Sequence, residues 1–205
     1  MAFEKKTLEA EQSLRFFKQE VKAAFQAASK YCSNYHAWDY RHFLLETWLS
    51  NGDVPADVKS EILKSEKEVS DTWLNSHISD YCGYHYRQML LCHMVRLELN
   101  VEESKVLLQV ELKENRGMIL FYPGHESLWY HRKILIKQYA GILGNSKSSE
   151  VTSLLEGEQN LVEAVTIKPR ENGDDKYNNF SISDGIQLNH TYSERHLRWI
   201  KTFLG

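Results

Sequence analysis

Three observations in the sequence predict an all-α fold, a right-handed α-α superhelix built as a solenoid of antiparallel helix pairs. First, an aromatic residue followed three positions later by arginine, and then by an apolar run, occurs four times: Trp38 with Arg41, Tyr84 with Arg87, Trp129 with Arg132, and Tyr192 with Arg195. Second, the steps from aromatic to aromatic are 46, 45 and 63 residues. Self-similarity at about 20–50 residues marks chains whose units bury their apolar faces only against neighbouring units. Third, the segments before each copy carry apolar residues at three- and four-residue steps and are separated by Asn, Gly and Pro, the pattern of amphipathic helices divided by turns.

The pairing of ring and guanidinium has a physical logic. Positions i and i+3 of a helix lie on neighbouring parts of one face. The ring supplies the large buried area between helix layers, and arginine, always charged and with five donors, can bridge carbonyls or a carboxylate of the next layer. The eight residues are therefore expected to pack repeat against repeat rather than to touch a substrate.

Each unit can be justified in turn. From Thr7 to Tyr31 there is neither Gly nor Pro, and Leu14, Phe17, Val21, Ala24, Phe25 and Ala28 form one apolar stripe. Ser33 and Asn34 can cap the following helix, which carries the first signature and stops near Asn51-Gly52, giving a first unit at about 7–52. Asp53-Val54-Pro55 opens the second, at about 53–99, with Asp80 capping its signature helix. The third, at about 100–144, opens on the capping pair Asn100 and Glu103. Its first helix carries Val106, Leu107 and Val110 as an apolar stripe, and Gly117 with Pro123-Gly124 marks its turn. The fourth, at about 147–205, has Leu154, Leu155, Leu161, Val162 and Val165 on its first helix, then a polar, turn-rich surface insertion at about 168–186.

Composition narrows the function classes. The 205 residues fit one domain, and 42% hydrophobic content suffices for a continuous core. A net charge of −3 offers no basic excess for nucleic acid. Cys32, Cys82 and Cys92, with no secretion signal, suit a reducing cytoplasmic setting, and no apolar run approaches membrane-spanning length. His36 and His42, His125 and His131, and His190 and His196 are each six apart, which on a helix turns them about 120° from one another, so no pair chelates one ion. Cys82 and His85, with His77, lack a fourth ligand at zinc spacing. Cys92, beside Leu90 and Leu91, reads as a buried inert thiol. No metal and no catalytic residue is expected on this chain.

The run Asn34-Tyr35-His36-Ala37-Trp38, followed by Arg41, resembles the repeats of protein prenyltransferase α subunits. Tetratricopeptide repeats are also helix pairs, but their 34-residue period does not fit. The 45- and 46-residue steps and the long insertion are most similar to the repeat-containing branch of the family, understood as the α subunit of a third type of geranylgeranyltransferase. The resemblance implies about four prenyltransferase α repeats wrapped around a β subunit. That partner would carry the zinc, hold most of the isoprenoid diphosphate and join it to a protein substrate with a C-terminal cysteine. It implies no cofactor on this chain, which would be a non-catalytic scaffold that helps select the substrate. Tyr35 matches the family's tyrosine near the site and is the one substrate-proximal candidate. Where farnesyl-type α subunits place a lysine before the run, this chain has Ser33, with Lys30 three residues earlier. Family members carry five or more repeats against four here, which implies a fragment or a shortened product. The alternative is an α-solenoid adaptor for protein–protein interaction with no role in prenyl transfer, favoured by Ser33.

Overall fold

The computed structural model describes residues 2–31, 33–97, 100–144, 149–166 and 182–204. Among them there are eight α-helices and no strand: α1 (Ala2–Lys30), α2 (Tyr35–Ser50), α3 (Ala56–Ser76), α4 (Tyr81–Leu97), α5 (Val101–Phe121), α6 (Glu126–Leu143), α7 (Ser149–Thr166) and α8 (Ile182–Leu204). The helices fall into two compact units, Met1–Glu98 and Leu99–Gly205. In the first, α1 packs on α2, α3 on α4, and α2 on α4; in the second, α5 packs on α6, α7 on α8, and α6 on α8. The all-α class and the helix-pair repeat are thus observed.

The helix ends follow from particular side chains. Asn34 accepts the Ala37 N–H at 3.2 Å and donates to the Ala27 carbonyl at 3.1 Å, so one side chain caps α2 and ties it to α1. Asp80 accepts the Cys82 N–H at 3.0 Å and the Trp73 indole N–H at 2.8 Å, capping α4 while fixing a core ring of α3. Asn100 and Glu103 form the reciprocal capping box that their spacing predicts, with bonds of 2.9 and 3.2 Å. Gly144, at φ +67°, ends α6 in the left-handed conformation.

The core of the first unit is aromatic. Trp38 meets Trp73 edge-on at 5.4 Å and lies 5.3 Å from Tyr86, while Phe17 lies 5.4 Å from Trp48. Gly83 lets α4 approach: a Cβ there would come within 3.0 Å of the Trp73 ring. Of the α1 stripe, Phe17, Val21, Ala24 and Ala28 are buried, with Leu14 and Phe25 half-buried.

Four expectations are corrected. Val106 and Val110 are exposed and Leu107 only half-buried; the inward face of α5 is Leu108, Glu111, Leu112, Asn115 and Ile119, because the turn of the helix is set by these and not by the neighbouring valines. Gly117 lies inside α5 with open space around it, so Pro123-Gly124 alone makes the turn. Most of the expected insertion, 168–181, lies outside the described residues, but its last part does not: Ile182 opens α8, and Gly185 is buried against the backbone of the α5–α6 turn. Cys32 also lies outside the described residues, and Cys92 is half-buried rather than buried.

At that contact Gly124 sits at φ +88°, and a Cβ on it would fall 2.9 Å from Gly185 Cα. We expect Gly124→Ala to lose about 1–2 kcal/mol from its left-handed backbone alone, with the backbone clash adding to it. Gly117→Ala, where nothing lies within 4 Å of the new methyl, should gain up to about 1 kcal/mol from helix propensity. Urea unfolding of the two variants measures both signs.

Candidate functional site

Each signature arginine in the first three units is buried and multiply bonded. Arg41, on α2, donates through Nη1 to the Val21 carbonyl of α1 at 2.7 Å and forks onto Glu66 of α3 through Nε at 2.7 Å and Nη2 at 2.9 Å. The Tyr86 hydroxyl also donates to Glu66 Oε2, and the guanidinium carbon lies 5.7 Å from the rings of both Phe25 and Tyr86. Arg132, on α6, repeats the arrangement. It donates to the Leu112 carbonyl at 3.0 Å and to Asn115 Oδ1 at 3.2 Å, and forks onto Glu158 of α7 at 2.7 and 2.6 Å. Arg87, on α4, donates to the Lys67 carbonyl at 3.0 Å and to Ser70 Oγ at 2.8 Å, and pairs with Asp71 at 2.7 Å. In all three the carbonyl acceptor lies 20 residues before the arginine. A helix carbonyl has a second lone pair free for such a bond.

The aromatic partners are buried too, with Trp38, Tyr84 and Trp129 each no more than 4% exposed. Trp129 donates from its indole to Asn189 Oδ1 at 2.6 Å. The fourth signature differs: Tyr192 is half-buried and Arg195 is exposed, which corrects the expectation that Arg195 packs inside. The inward face of α8 is Gly185, Asn189, Ser193, His196 and Ile200, so Tyr192 and Arg195, each one residue earlier than an inward position, are turned about 100° away from the core. His196 supplies the inward donor instead, with Nε2 2.8 Å from Glu158 Oε2. Burial pushes the His196 imidazole below its ordinary range despite the neighbouring carboxylate, because Arg132 already matches that charge. Burial alone would raise Glu158, but the bonds from His196 and Arg132 outweigh it and hold the carboxyl below its usual range.

Tyr35 begins α2 and is 55% exposed, its ring edge-on to His36 at 5.8 Å. Immediately before it, Ser33 takes φ +52°, and its carbonyl accepts the Tyr35 N–H at 2.8 Å and the Cys82 thiol at 3.5 Å. Lys30 is exposed at the end of α1. A cleft of about 660 Å³ between α1 and α3 is lined by Lys18, Lys22, Val21 and Phe25, with the mutually paired Arg41 and Glu66 also on its wall.

Sequence reading missed one cluster. His42 and Glu46 on α2 and His93 on α4 bring their ligand atoms within 4.8 Å of one another. The six-residue histidine spacings pointed away from it; the signal was the four-residue step from His42 to Glu46, which places both on one helix face.

These features define a class: tandem helix pairs in which the second helix carries a buried aromatic and a buried arginine, the arginine bonded to a carbonyl of the helix before it and, for Arg41 and Arg132, to a carboxylate of the helix after it. The family model described as "Protein prenyltransferase alpha subunit repeat" matches residues 17–48, 63–94 and 108–139. The chain belongs to the family of proteins built from these repeats. The match covers three units and not the α7–α8 pair, whose arginine is out of phase. Relatives include human protein prenyltransferase alpha subunit repeat-containing protein 1, 29% identical over 62% of this chain and 38% of its own length. The Xenopus laevis form 1-A is 30% identical over 56% of this chain and 32% of its own length. The Saccharomyces cerevisiae geranylgeranyl transferase type-2 subunit alpha is 24% identical over 51% of this chain and 30% of its own length. The chain thus spans about a third of the length of the curated relatives it matches.

Arg41→Met would leave Glu66 buried without its cation, and we expect a loss of about 3–5 kcal/mol in unfolding free energy. The double variant with Glu66→Met should lose less than Arg41→Met alone in the same urea titration. For His196, the folded-state value lies below the ordinary one of about 6.5, so its neutral form is favoured by folding. The stability it contributes is complete above that ordinary value and is lost as pH falls through the folded one. Denaturation midpoints between pH 7.5 and pH 5.5 should drop, and His196→Gln should flatten the drop.

Proposed function

We propose that this chain is the non-catalytic α subunit, or part of one, of a heterodimeric protein geranylgeranyltransferase. The observation that carries the reading is the tandem match of three prenyltransferase α repeats, together with a relative named as a geranylgeranyl transferase α subunit. The buried signatures support a scaffold role: Arg41, Arg87 and Arg132 are committed to helix carbonyls and carboxylates within their own units. In this reading the partner β subunit carries the zinc and most of the isoprenoid diphosphate site. This chain braces that subunit and helps select the protein whose C-terminal cysteine receives the isoprenoid, in the cytoplasm. Tyr35 is the substrate-proximal side chain, since its exposed ring stands at the start of α2. No helix among the described residues is long and apolar enough to cross a membrane.

The second reading, an adaptor without a prenyl-transfer role, is favoured by Ser33. Its short neutral side chain, on a left-handed backbone, offers no cation to a departing diphosphate.

Co-purification of the chain with each type of prenyltransferase β subunit, followed by transfer of labelled geranylgeranyl diphosphate to a protein acceptor, tests the proposal. A stable one-to-one complex that labels the acceptor is the expected result; a helical, monodisperse chain that binds no β subunit would favour the adaptor. Within an active complex, Tyr35→Phe should slow transfer without loosening the complex, and an unchanged rate would remove Tyr35 from the site.

A further inference from the structure

We propose that His42, Glu46 and His93 form a binding site for one divalent transition-metal ion, zinc fitting best, that clips α2 to α4. The Nε2 atoms of His42 and His93 stand 3.4 Å apart, with the rings 5.6 Å apart centre to centre and inclined by 38°. Two nitrogens bound at about 2.0–2.1 Å to a tetrahedral zinc ion are separated by about 3.3–3.4 Å, so the two imidazoles already span one edge of that tetrahedron. A direct bond between them accounts less well for the approach. At 3.4 Å the separation is at the long limit for a direct bond, which would also need one ring to present Nε2–H while the other keeps Nε2 as the acceptor.

The third ligand comes from the same helix. Glu46 follows His42 by four residues, and its carboxylate lies within 4.8 Å of both imidazole nitrogens. Glu46 is exposed and the two histidines are half-buried, so the carboxylate can swing in while the rings are held by their helices. Two histidines and one glutamate make a three-protein-ligand zinc set that leaves the fourth position to water. Arg96, one turn beyond His93 and exposed, is a cation that opposes the ion. The donors are borderline nitrogen and hard oxygen, which suits zinc, cobalt or nickel better than calcium or magnesium. Because His42 and Glu46 sit on the second helix of one repeat and His93 on that of the next, the ion would add a cross-link between repeats.

The 205-residue chain, stripped with a chelator, is titrated with cobalt(II) and then zinc. We expect one cobalt per chain with the intense visible bands of a four-coordinate ion, displaced by zinc, and a zinc-dependent rise in melting temperature. Outer-shell changes cost about 10–100-fold in metal affinity, so His42→Gln and His93→Gln, which remove ligands outright, should each cost more than that. Glu46→Gln should weaken binding less. A second measurement needs no variant: zinc should shield His42 and His93, and no other histidine, from acylation of the imidazole mapped by mass spectrometry. Absence of cobalt binding, bands that persist in both histidine variants, or equal acylation with and without zinc would each overturn the proposal.

Discussion

A guanidinium that cannot be left unpaired is the constraint on which this architecture depends. Stripping water from an arginine is costly unless every donor finds a partner and the charge is matched. Arg41 and Arg132 meet that demand in the same way, with a carbonyl of the helix before and a carboxylate of the helix after. Each therefore fixes three helices at once. The aromatic residue three positions earlier fills the space beside it, and the apolar positions around both exclude the water that would otherwise compete. Other polar partners vary: Arg87 pairs with Asp71 of the helix before it, and Ser70 and Asn115 accept from Arg87 and Arg132, where the corresponding residue of the first unit is the buried Ala24. Arg41 instead has the rings of Phe25 and Tyr86 around it.

Most of this was legible in the sequence, because the repeat is written in residue types that physics treats distinctively. Trp38, Arg41, Trp129 and Arg132 announce themselves by size and charge, and Asn100 with Glu103 by cap spacing. The acidic half of the scheme was equally present and overlooked. Glu66, Glu111 and Glu158 are all buried on the first helices of successive units, 45 and 47 residues apart. What sequence alone could not fix was rotation. On α5 the valines and the leucines both make plausible stripes, and only the acid and amide at Glu111 and Asn115, which are buried here, distinguish them. On α8 an aromatic and an arginine stand at signature spacing yet miss the inward face by one residue, a shift that pattern matching does not register. The cluster of His42, Glu46 and His93 joins residues 51 apart across a helix contact, which no local spacing encodes.

With the signatures consumed by packing, whatever distinguishes this chain among its relatives is left to the rims. The start of α2 concentrates several features not taken up by the signature packing: a serine on a left-handed backbone, an exposed tyrosine, and a thiol from α4 bonded to the serine carbonyl. Burial, and the nearby Asp80 after it, raise that Cys82 thiol above its ordinary range, so it serves as a neutral donor in the turn rather than as a nucleophile.

The constant reach of 20 residues from carbonyl to arginine also maps where the chain can change length. Between Val21 and Arg41, Lys67 and Arg87, or Leu112 and Arg132, one inserted residue within a helix would rotate donor or acceptor by about 100° and unpair a buried charge. In the fourth unit the signature Arg195 is exposed, and a histidine whose donor returns to Glu158 closes the unit instead. It is between the third and fourth signatures that the step in this chain stretches from 45 to 63 residues. Loops added by evolution or by an engineer would be accommodated at that end of the chain long before they were tolerated in the first three units.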